Sequence, residues 1–269
     1  MGNALFIVWR ESVEAILVVS ILYAWIGARG DGRIGVRHLW AGVGGGLVLA
    51  GALALAMLGL QSQLAGDALE VFQAAIVLVA AGLITHMVLW MRSHGRHLKR
   101  ELEAGLSKAA ASAGGMPVAL LAAIAVGREG AETVLFLYGL GVEQSGDAVG
   151  RMFAGAGIGF ALALATAWLI QRGARWLPSR LFFRATEIVL LLLAAAMLVS
   201  GIERLINLEW LPPLVEPVWD SSALLSDGST TGGIAAAFAG YRAQPSLTVL
   251  IAWFGYWLFV AWTGRPRRT

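Results

Sequence analysis

The sequence predicts an all-α integral membrane protein with seven transmembrane helices. Three observations support this: 58% of the 269 residues are apolar and only 14% are charged, seven segments are long and apolar, and the basic residues concentrate in alternate loops. Soluble domains carry roughly 25% charged residues, so this chain has too little polar surface for a water-facing coat. Its net charge of +3 is spread over those loops, which argues against a nucleic-acid-binding surface.

Each predicted span approaches the length of about 20 mostly apolar residues that crosses a bilayer. The spans are 4–27, 38–60, 67–91, 117–141, 148–171, 181–205 and 246–263. Residues 93–112 are too polar to span, and the proline-interrupted segment 206–245 is too broken. We therefore expect a single transmembrane domain over 1–269, with a cytosolic loop at 92–116 and an outer loop at 206–245.

The loop charges predict the orientation, because cytoplasmic loops are enriched in Lys and Arg. Most of the bases follow the first, third and fifth spans or lie in the tail: Arg29, Arg33, Arg37, Arg92, Arg96, Lys99, Arg100, Lys108, Arg172, Arg175, Arg180, Arg184, Arg265, Arg267 and Arg268. The opposite loops are acidic, with Asp67, Glu70, Glu143, Asp147, Glu209, Glu216, Asp220 and Asp227. We expect a multi-pass protein of the cytoplasmic membrane with its N-terminus outside and its C-terminus inside, which an odd number of spans requires. The acidic outer loops either attract cations or simply follow from this topology.

The first three spans resemble the next three. WRESVEAILVVS at 9–20 matches GREGAETVLFLY at 127–138, and two shorter matches, AGVGGG with AGAGIG and VAAGLI with LAAAML, follow in the same order at nearly the same offset. Because three spans is an odd number, the second copy must be inverted relative to the first. The sequence thus predicts an inverted repeat, about 4–91 and 117–205, plus a seventh span, and in such transporters the substrate site lies at the repeat interface.

Both repeats carry an Arg-Glu-x-x-Glu motif within a predicted membrane helix. The charged residues are Arg10, Glu11, Glu14, Arg128, Glu129 and Glu132. Residues three or four apart share a helix face, so the two Glu of each motif project together beside their Arg. An ionised group at mid-bilayer costs about 2.5–3.5 kcal/mol, so these side chains are expected to face the interior of the bundle and to pair.

Four glutamates against two arginines leave an excess of negative charge that a bound cation would relieve. Carboxylate oxygens suit hard cations such as Fe(III), Mn, Mg and Ca and tolerate Fe(II), and without any Cys thiolate ligation is excluded. The alternative is that two Arg–Glu pairs only hold the first and fourth spans together. That alternative leaves two glutamates without a partner in a low-dielectric environment.

With this motif in its first and fourth spans, the chain resembles the oxidase-dependent iron transporter family, which includes the fungal high-affinity iron permease and the bacterial EfeU-type permeases. REGAE at 128–132 has the family's form, whereas RESVE at 10–14 has Ser12 where Gly is usual; VWDSSALLSD at 218–227 and GYRAQPS at 240–246 also look like the family's outer loop. The resemblance implies iron import, with Glu11, Glu14, Glu129 and Glu132 as iron ligands and Arg10 and Arg128 in support. It also implies an extracytoplasmic oxidase or iron-delivery protein as a partner, and no cofactor, since iron is the cargo.

Several further residues are candidates for the ion route, each with a plain structural alternative. Thr133 could add a hydroxyl ligand or simply pack, and Glu187 could join the route or pair with Arg184. His86, Met87, His94 and His97, near the cytosolic end of the third span, could form an exit relay or a solvated basic segment near lipid headgroups.

The function that these features predict is an iron permease for Fe(II) or Fe(III). A permease for another hard divalent metal such as Mn(II) remains the alternative. An intramembrane enzyme using paired carboxylates is disfavoured, because there is no His-Glu-x-x-His pair and His86 is the only His near membrane depth. A scaffold without transport would not explain the buried charges.

Overall fold

The computed structural model describes residues 2–28, 32–94, 115–141, 147–172, 179–227 and 229–263, and within them the regular structure is helical. The helices are α1 (Gly2–Ala28), α2 (Gly32–Gln63), α3 (Asp67–His94), α4 (Met116–Gly141), α5 (Asp147–Gln171), α6 (Ser179–Asn207), α7 (Thr230–Ala239) and α8 (Leu247–Thr263). Seven of these coincide with the predicted spans, and several extend beyond them by a turn or more.

Four helices of the described chain are long enough to cross a membrane and contain an apolar stretch of 18 residues with at most two charges: Gly35–Gln63, Asp67–Arg92, Val149–Leu169 and Thr186–Asn207. Helix α8 is apolar but has 17 residues. Helices α1 and α4 are also long, at 27 and 26 residues, but each carries the three charges of its motif. Together with exposed apolar side chains such as Val48 and Leu55 of α2, these helices describe a multi-pass membrane protein.

The helices form two compact units. Unit 1 comprises Met1–Leu60 and His94–Trp176, which includes α1, most of α2, α4 and α5; unit 2 comprises Gln61–Ser93 and Leu177–Thr269, which includes α3, α6, α7 and α8. Each unit draws helices from both predicted repeats. The first two helices of each repeat lie in unit 1 and the third helix of each lies in unit 2, so the compact units cut across the repeats.

Apolar packing in unit 1 ties α1, α2 and α4 together. Leu22 and Ile26 of α1, Leu39 of α2, and Val118 and Ala122 of α4 form a buried cluster. It lies toward the C-terminal end of α1, so it fixes the distance between α1 and α4 about two turns away from the charged motifs.

In unit 2 the third helices of the two repeats run antiparallel. Arg204 of α6 donates to Gln73 near the start of α3 at 2.9 Å, while Arg92 near the end of α3 donates to Glu187 of α6 at 3.0 Å. The repeat offset relates Gln73 to Glu187, so the two pairs are approximate equivalents of each other. This arrangement supports the inverted repeat, although the number of spans and the orientation stay predictions.

The segment before α8, predicted as an outer loop, contains a short helix that the sequence analysis did not anticipate. Ser229 caps α7 by accepting from the Gly232 N–H at 3.0 Å, and Gly240 ends it with a φ of 70°, a left-handed conformation that glycine adopts without steric cost. With 10 residues, α7 is about 15 Å long, which is too short to span.

The two stretches of this segment that resemble the family, 218–227 and 240–246, are hydrogen bonded to each other. The Ser221 N–H donates to the Ala243 carbonyl at 2.9 Å, and the Ala243 N–H donates to Asp227 Oδ1 at 3.0 Å. Hydrogen bonds from the Ser222 side chain and backbone, and from Gln244, lower the pKa of the exposed Asp220 carboxyl. This part of unit 2 is therefore a hydrogen-bonded structure rather than an open loop.

Candidate metal centre

The motif on α1 is buried and paired within itself. Arg10 Nη1 lies 2.8 Å from Glu11 Oε1, and Arg10 Nη2 lies 2.6 Å from Glu14 Oε1. The side chains of Arg10 and Glu11 are 5% and 1% exposed, and Glu14 is 24% exposed. Helical spacing explains the arrangement, because Arg10 and Glu14 are four residues apart and share a face.

The motif on α4 repeats the pairing in more open surroundings. Arg128 Nε donates to Glu132 Oε1 at 2.9 Å and lies 4.0 Å from Glu129 Oε1. The Arg128 side chain is 52% exposed, whereas those of Glu129 and Glu132 are 11% and 14% exposed. Arg128 thus lies closer to Glu132 than to Glu129.

The two motifs converge within unit 1. Glu11, Glu14 and Glu129 each offer one carboxylate oxygen, and these three oxygens lie within 4.8 Å of one another. Glu132, the fourth predicted ligand, lies beside Arg128 and outside this set of three. Among the described residues, no second group of three His, Cys, Asp or Glu is spaced in this way.

Several of the buried carboxylate oxygens are not hydrogen bonded. Within the described chain, Glu11 Oε2, Glu129 Oε2 and Glu132 Oε2 have no hydrogen-bond partner. Glu14 Oε1 also lacks a well-directed hydrogen bond, but at 2.6 Å from Arg10 Nη2 its charge is compensated, so we count it as paired. Buried acceptors without partners cost about 1–3 kcal/mol each, and more when charged, so a donor or a cation at these oxygens would stabilise the cluster.

Comparison with known proteins shows the family of this chain. Residues 1–267 match the model of the Iron permease FTR1 family. The chain belongs to that family. It is 30% identical over 270 residues to the Ferrous iron permease EfeU of Escherichia coli O6:H1, covering 97% of this chain and 95% of the relative. This confirms the resemblance that the motifs carried.

Two other relatives of this FTR1-family chain cover it almost as fully. The Ferrous iron permease EfeU of Yersinia pestis is 28% identical over 93% of this chain and 88% of its own length. An uncharacterised protein of Archaeoglobus fulgidus is 31% identical over 95% and 91%. No solved structure matches the chain.

The other candidate residues of this FTR1-family chain are dispersed. The Thr133 hydroxyl donates back to the Glu129 carbonyl at 2.8 Å, which leaves its oxygen able to accept. Glu187 pairs with Arg92 at 3.0 Å; the side chain of Arg184 lies outside the described residues. On α3, His86 is exposed and Met87 is 4% exposed. The His94 side chain and all of His97 lie outside the described residues, so the relay stays a prediction.

Glycines of the repeated segments AGVGGG and AGAGIG allow the motif helices to lie close to their neighbours. A Cβ on Gly46 of α2 would lie 2.8 Å from the Gly127 nitrogen of α4, and a Cβ on Gly159 of α5 would collide with the Leu5 carbonyl and lie 3.1 Å from the Trp9 nitrogen of α1. Gly127 and Trp9 each directly precede the arginine of a motif. The repeat offset already related Gly46 to Gly159 in the sequence. The helices that these glycines approach could not be read from the sequence.

Gly130 of α4 makes a similar approach, because a Cβ there would lie 2.6 Å from the Ala50 Cβ. Its counterpart on α1 is Ser12, which lines a crevice beside the carboxylates instead. The departure of RESVE from the family's glycine therefore places a hydroxyl near the site without displacing Glu11 or Glu14 from the cluster.

Proposed function

We propose that this chain imports iron across the cytoplasmic membrane through a carboxylate site built from its two Arg-Glu-x-x-Glu motifs. The observation that carries the proposal is the convergence of Glu11, Glu14 and Glu129 within 4.8 Å, with oxygens of Glu11 and Glu129 left unpaired. Iron is the proposed cargo because the chain belongs to an iron permease family and has relatives named as ferrous iron permeases.

The donor set suits a hydrated Fe(II) or Fe(III) ion that loses its water as carboxylates replace it. Arg10, bonded to both Glu11 and Glu14, holds those carboxylates ionised and oriented while the site is empty. Glu132 completes the set when Arg128 releases it. The bound cation then neutralises negative charge that is costly in a low-dielectric environment. The affinity of the site is the difference between this gain and the cost of removing water from the ion.

The proposed orientation places the N-terminus outside, so acidic residues such as Asp67 and Glu70 face the source of iron. Their field would raise the local cation concentration and the capture rate. An extracytoplasmic oxidase or iron-delivery protein would act as the partner on that face, and the oxidation state of the cargo would be set at that handover.

Uptake of iron into vesicles containing the purified chain tests the proposal. We expect Glu11→Ala, Glu14→Ala, Glu129→Ala and Glu132→Ala each to abolish uptake while the protein still inserts into the membrane. The matched control is Gln63→Ala, which truncates an exposed, uncharged side chain at the end of α2 and should leave uptake intact. Full uptake by any of the four variants would remove that residue from the site.

The same assay distinguishes the alternative cargo. Carboxylates accept Mn(II) as well as Fe(II), so a manganese permease would use the same residues. Excess Mn(II) should compete weakly with iron if iron is the cargo. Transport of Mn(II) faster than iron at equal concentration would establish the alternative.

A further inference from the structure

An open crevice of about 990 Å³ within unit 1 begins at the carboxylates and follows α1 and α2. One side of the crevice is lined by α1 residues at helical intervals from Glu11 to Tyr23. The other side is lined by α2 residues from Ala54 back to Trp40. At a rise of 1.5 Å per residue, the wall from Glu11 to Tyr23 is about 18 Å long. The crevice therefore connects the candidate metal centre to the C-terminal end of α1.

Two serine hydroxyls on this wall are unusual in having no partner. Ser12 and Ser20 line the crevice and make no side-chain hydrogen bond to the rest of the described chain. Four threonines on described helices behave differently: Thr85, Thr133, Thr166 and Thr263 each donate to the carbonyl four residues earlier at 2.7–2.8 Å. A free hydroxyl facing a cavity can bind water or a hydrated cation.

Between the two serines the crevice is apolar. Ser12 and Ser20 are about 12 Å apart along the helix, and the intervening wall consists of Ile16 and Val19 on α1 facing Val43 and Leu47 on α2. Apolar sections of an ion pathway can act as gates, because they exclude water until they widen. The crevice thus has a carboxylate end, a dry section and a hydroxyl end at Ser20 and Tyr23.

We propose that this crevice is the route by which the cation moves between the carboxylate site and the C-terminal end of α1, with Ser20 and Tyr23 providing the first oxygen ligands beyond the dry section. The proposal rests on the proposed function. The orientation predicted from the loop charges makes this end cytosolic, so the route is the exit.

The unpaired oxygens at its base indicate a crevice that admits water rather than a lipid chain. Glu11 Oε2 and Glu129 Oε2 are buried without a partner in the described chain, and both residues line the crevice. Water or a cation entering there would satisfy these acceptors, whereas an acyl chain would leave them unsatisfied at a cost of several kcal/mol.

The absence of Cys from the chain allows a direct test with single cysteines. Ser20→Cys and Leu47→Cys place a thiol in the crevice, and Val48→Cys is the matched control, since Val48 is 71% exposed but is not part of the crevice wall. Vesicles are treated with a cationic methanethiosulfonate from either side and, in parallel, with a hydrophobic maleimide. We expect the cationic reagent to modify Ser20→Cys and Leu47→Cys several-fold faster than Val48→Cys, and only from the cytosolic side.

Modification of Leu47→Cys should also block iron uptake relative to the same variant before treatment, whereas treated Val48→Cys should keep its uptake. Ser20→Ala should slow uptake, and Ser20→Thr, which keeps the hydroxyl, should restore most of it. Equal labelling of the three thiols, or reaction of the crevice thiols with the maleimide alone, would overturn the route. Absence of iron uptake by the unmodified chain would instead count against the proposed function, because the labelling rates do not depend on the cargo.

Discussion

The two arginines of the repeated motif occupy different surroundings, although their sequence context is nearly the same. Arg10 is 5% exposed and contacts Glu11 and Glu14, whereas Arg128 is 52% exposed and pairs with Glu132 at 2.9 Å. A charge removed from a closely enclosed cluster leaves its partners uncompensated, and this cost is smaller where the pair is less enclosed by protein. The two positions should therefore respond differently to the same substitution.

Arg10→Gln should destabilise the protein by about 3–5 kcal/mol, the cost of breaking a buried ion pair. Arg128→Gln should destabilise the protein less, because the Arg128 side chain is 52% exposed and its removal leaves a less enclosed carboxylate. Thermal unfolding in detergent micelles measures both. Because a bound cation would replace the missing positive charge, added iron should recover part of the loss in Arg10→Gln. Equal losses in the two variants would contradict the difference in burial.

Glu129→Gln should stabilise the metal-free protein. Its carboxylate is largely buried, lies near two other carboxylates and is 4.0 Å from Arg128 Nε, so a neutral side chain of the same shape removes repulsion and desolvation cost. The stabilisation that iron confers through binding only the folded state should be lost in the same variant. Melting temperature with and without iron measures both effects.

The control for this prediction is Glu70→Gln, in which an exposed carboxylate is neutralised; its melting temperature should respond to iron as wild type does. A lower melting temperature of metal-free Glu129→Gln would show that the glutamate is held by favourable contacts. In that case the cluster would only hold α1 and α4 together, which is the alternative that the sequence left open.

At the scale of the helices, two glycine crossings set the position of the motifs. Gly46 lets α2 approach α4 beside Gly127, and Gly159 lets α5 approach α1 beside Trp9. The two crossings are equivalent under the repeat, and each joins a helix of one repeat to the motif helix of the other. Small residues allow this kind of close backbone contact in membranes.

Gly46→Ala and Gly159→Ala should each lower the melting temperature and reduce iron uptake, because the new Cβ would push apart helices whose spacing positions the glutamates. Gly44→Ala and Gly157→Ala are matched controls, since a Cβ at either meets nothing within 4 Å. Alanine favours helix over glycine by about 0.5–1 kcal/mol, so the controls should be as stable as wild type or more stable. Equal behaviour of crossing and control variants would exclude a positioning role.

At the scale of the whole molecule, the compact units are not the repeats. Unit 1 holds both motifs and the glycine crossings, and unit 2 pairs α3 with α6 through two equivalent polar contacts. A transport mechanism in which one repeat rocks against the other would have to break the packing inside both units. Motions that keep each unit intact are therefore the simpler expectation for this chain.

The orientation can be checked at the two ends of α2. Loop charges predict that Gln63 lies outside and Arg37 inside, and both side chains are exposed. A membrane-impermeant thiol reagent added to intact cells should label Gln63→Cys, and it should label Arg37→Cys only after permeabilisation. The reverse pattern would invert the topology and turn the crevice from an exit into an entry route.

The sequence by itself determined the membrane class, the family and the identity of the charged motifs, because hydropathy, loop charge and the spacing of Arg10, Glu11 and Glu14 are local properties. It also predicted the repeat, which is a property of the order of residues. Only the tertiary structure decided which carboxylates meet, that Arg10 is buried while Arg128 is exposed, and which helices share a unit. It also showed that Arg92 pairs with Glu187 and that a crevice lies beside Ser20. These features depend on contacts between residues far apart in the chain, where backbone approach and burial are set by packing rather than by the neighbouring sequence.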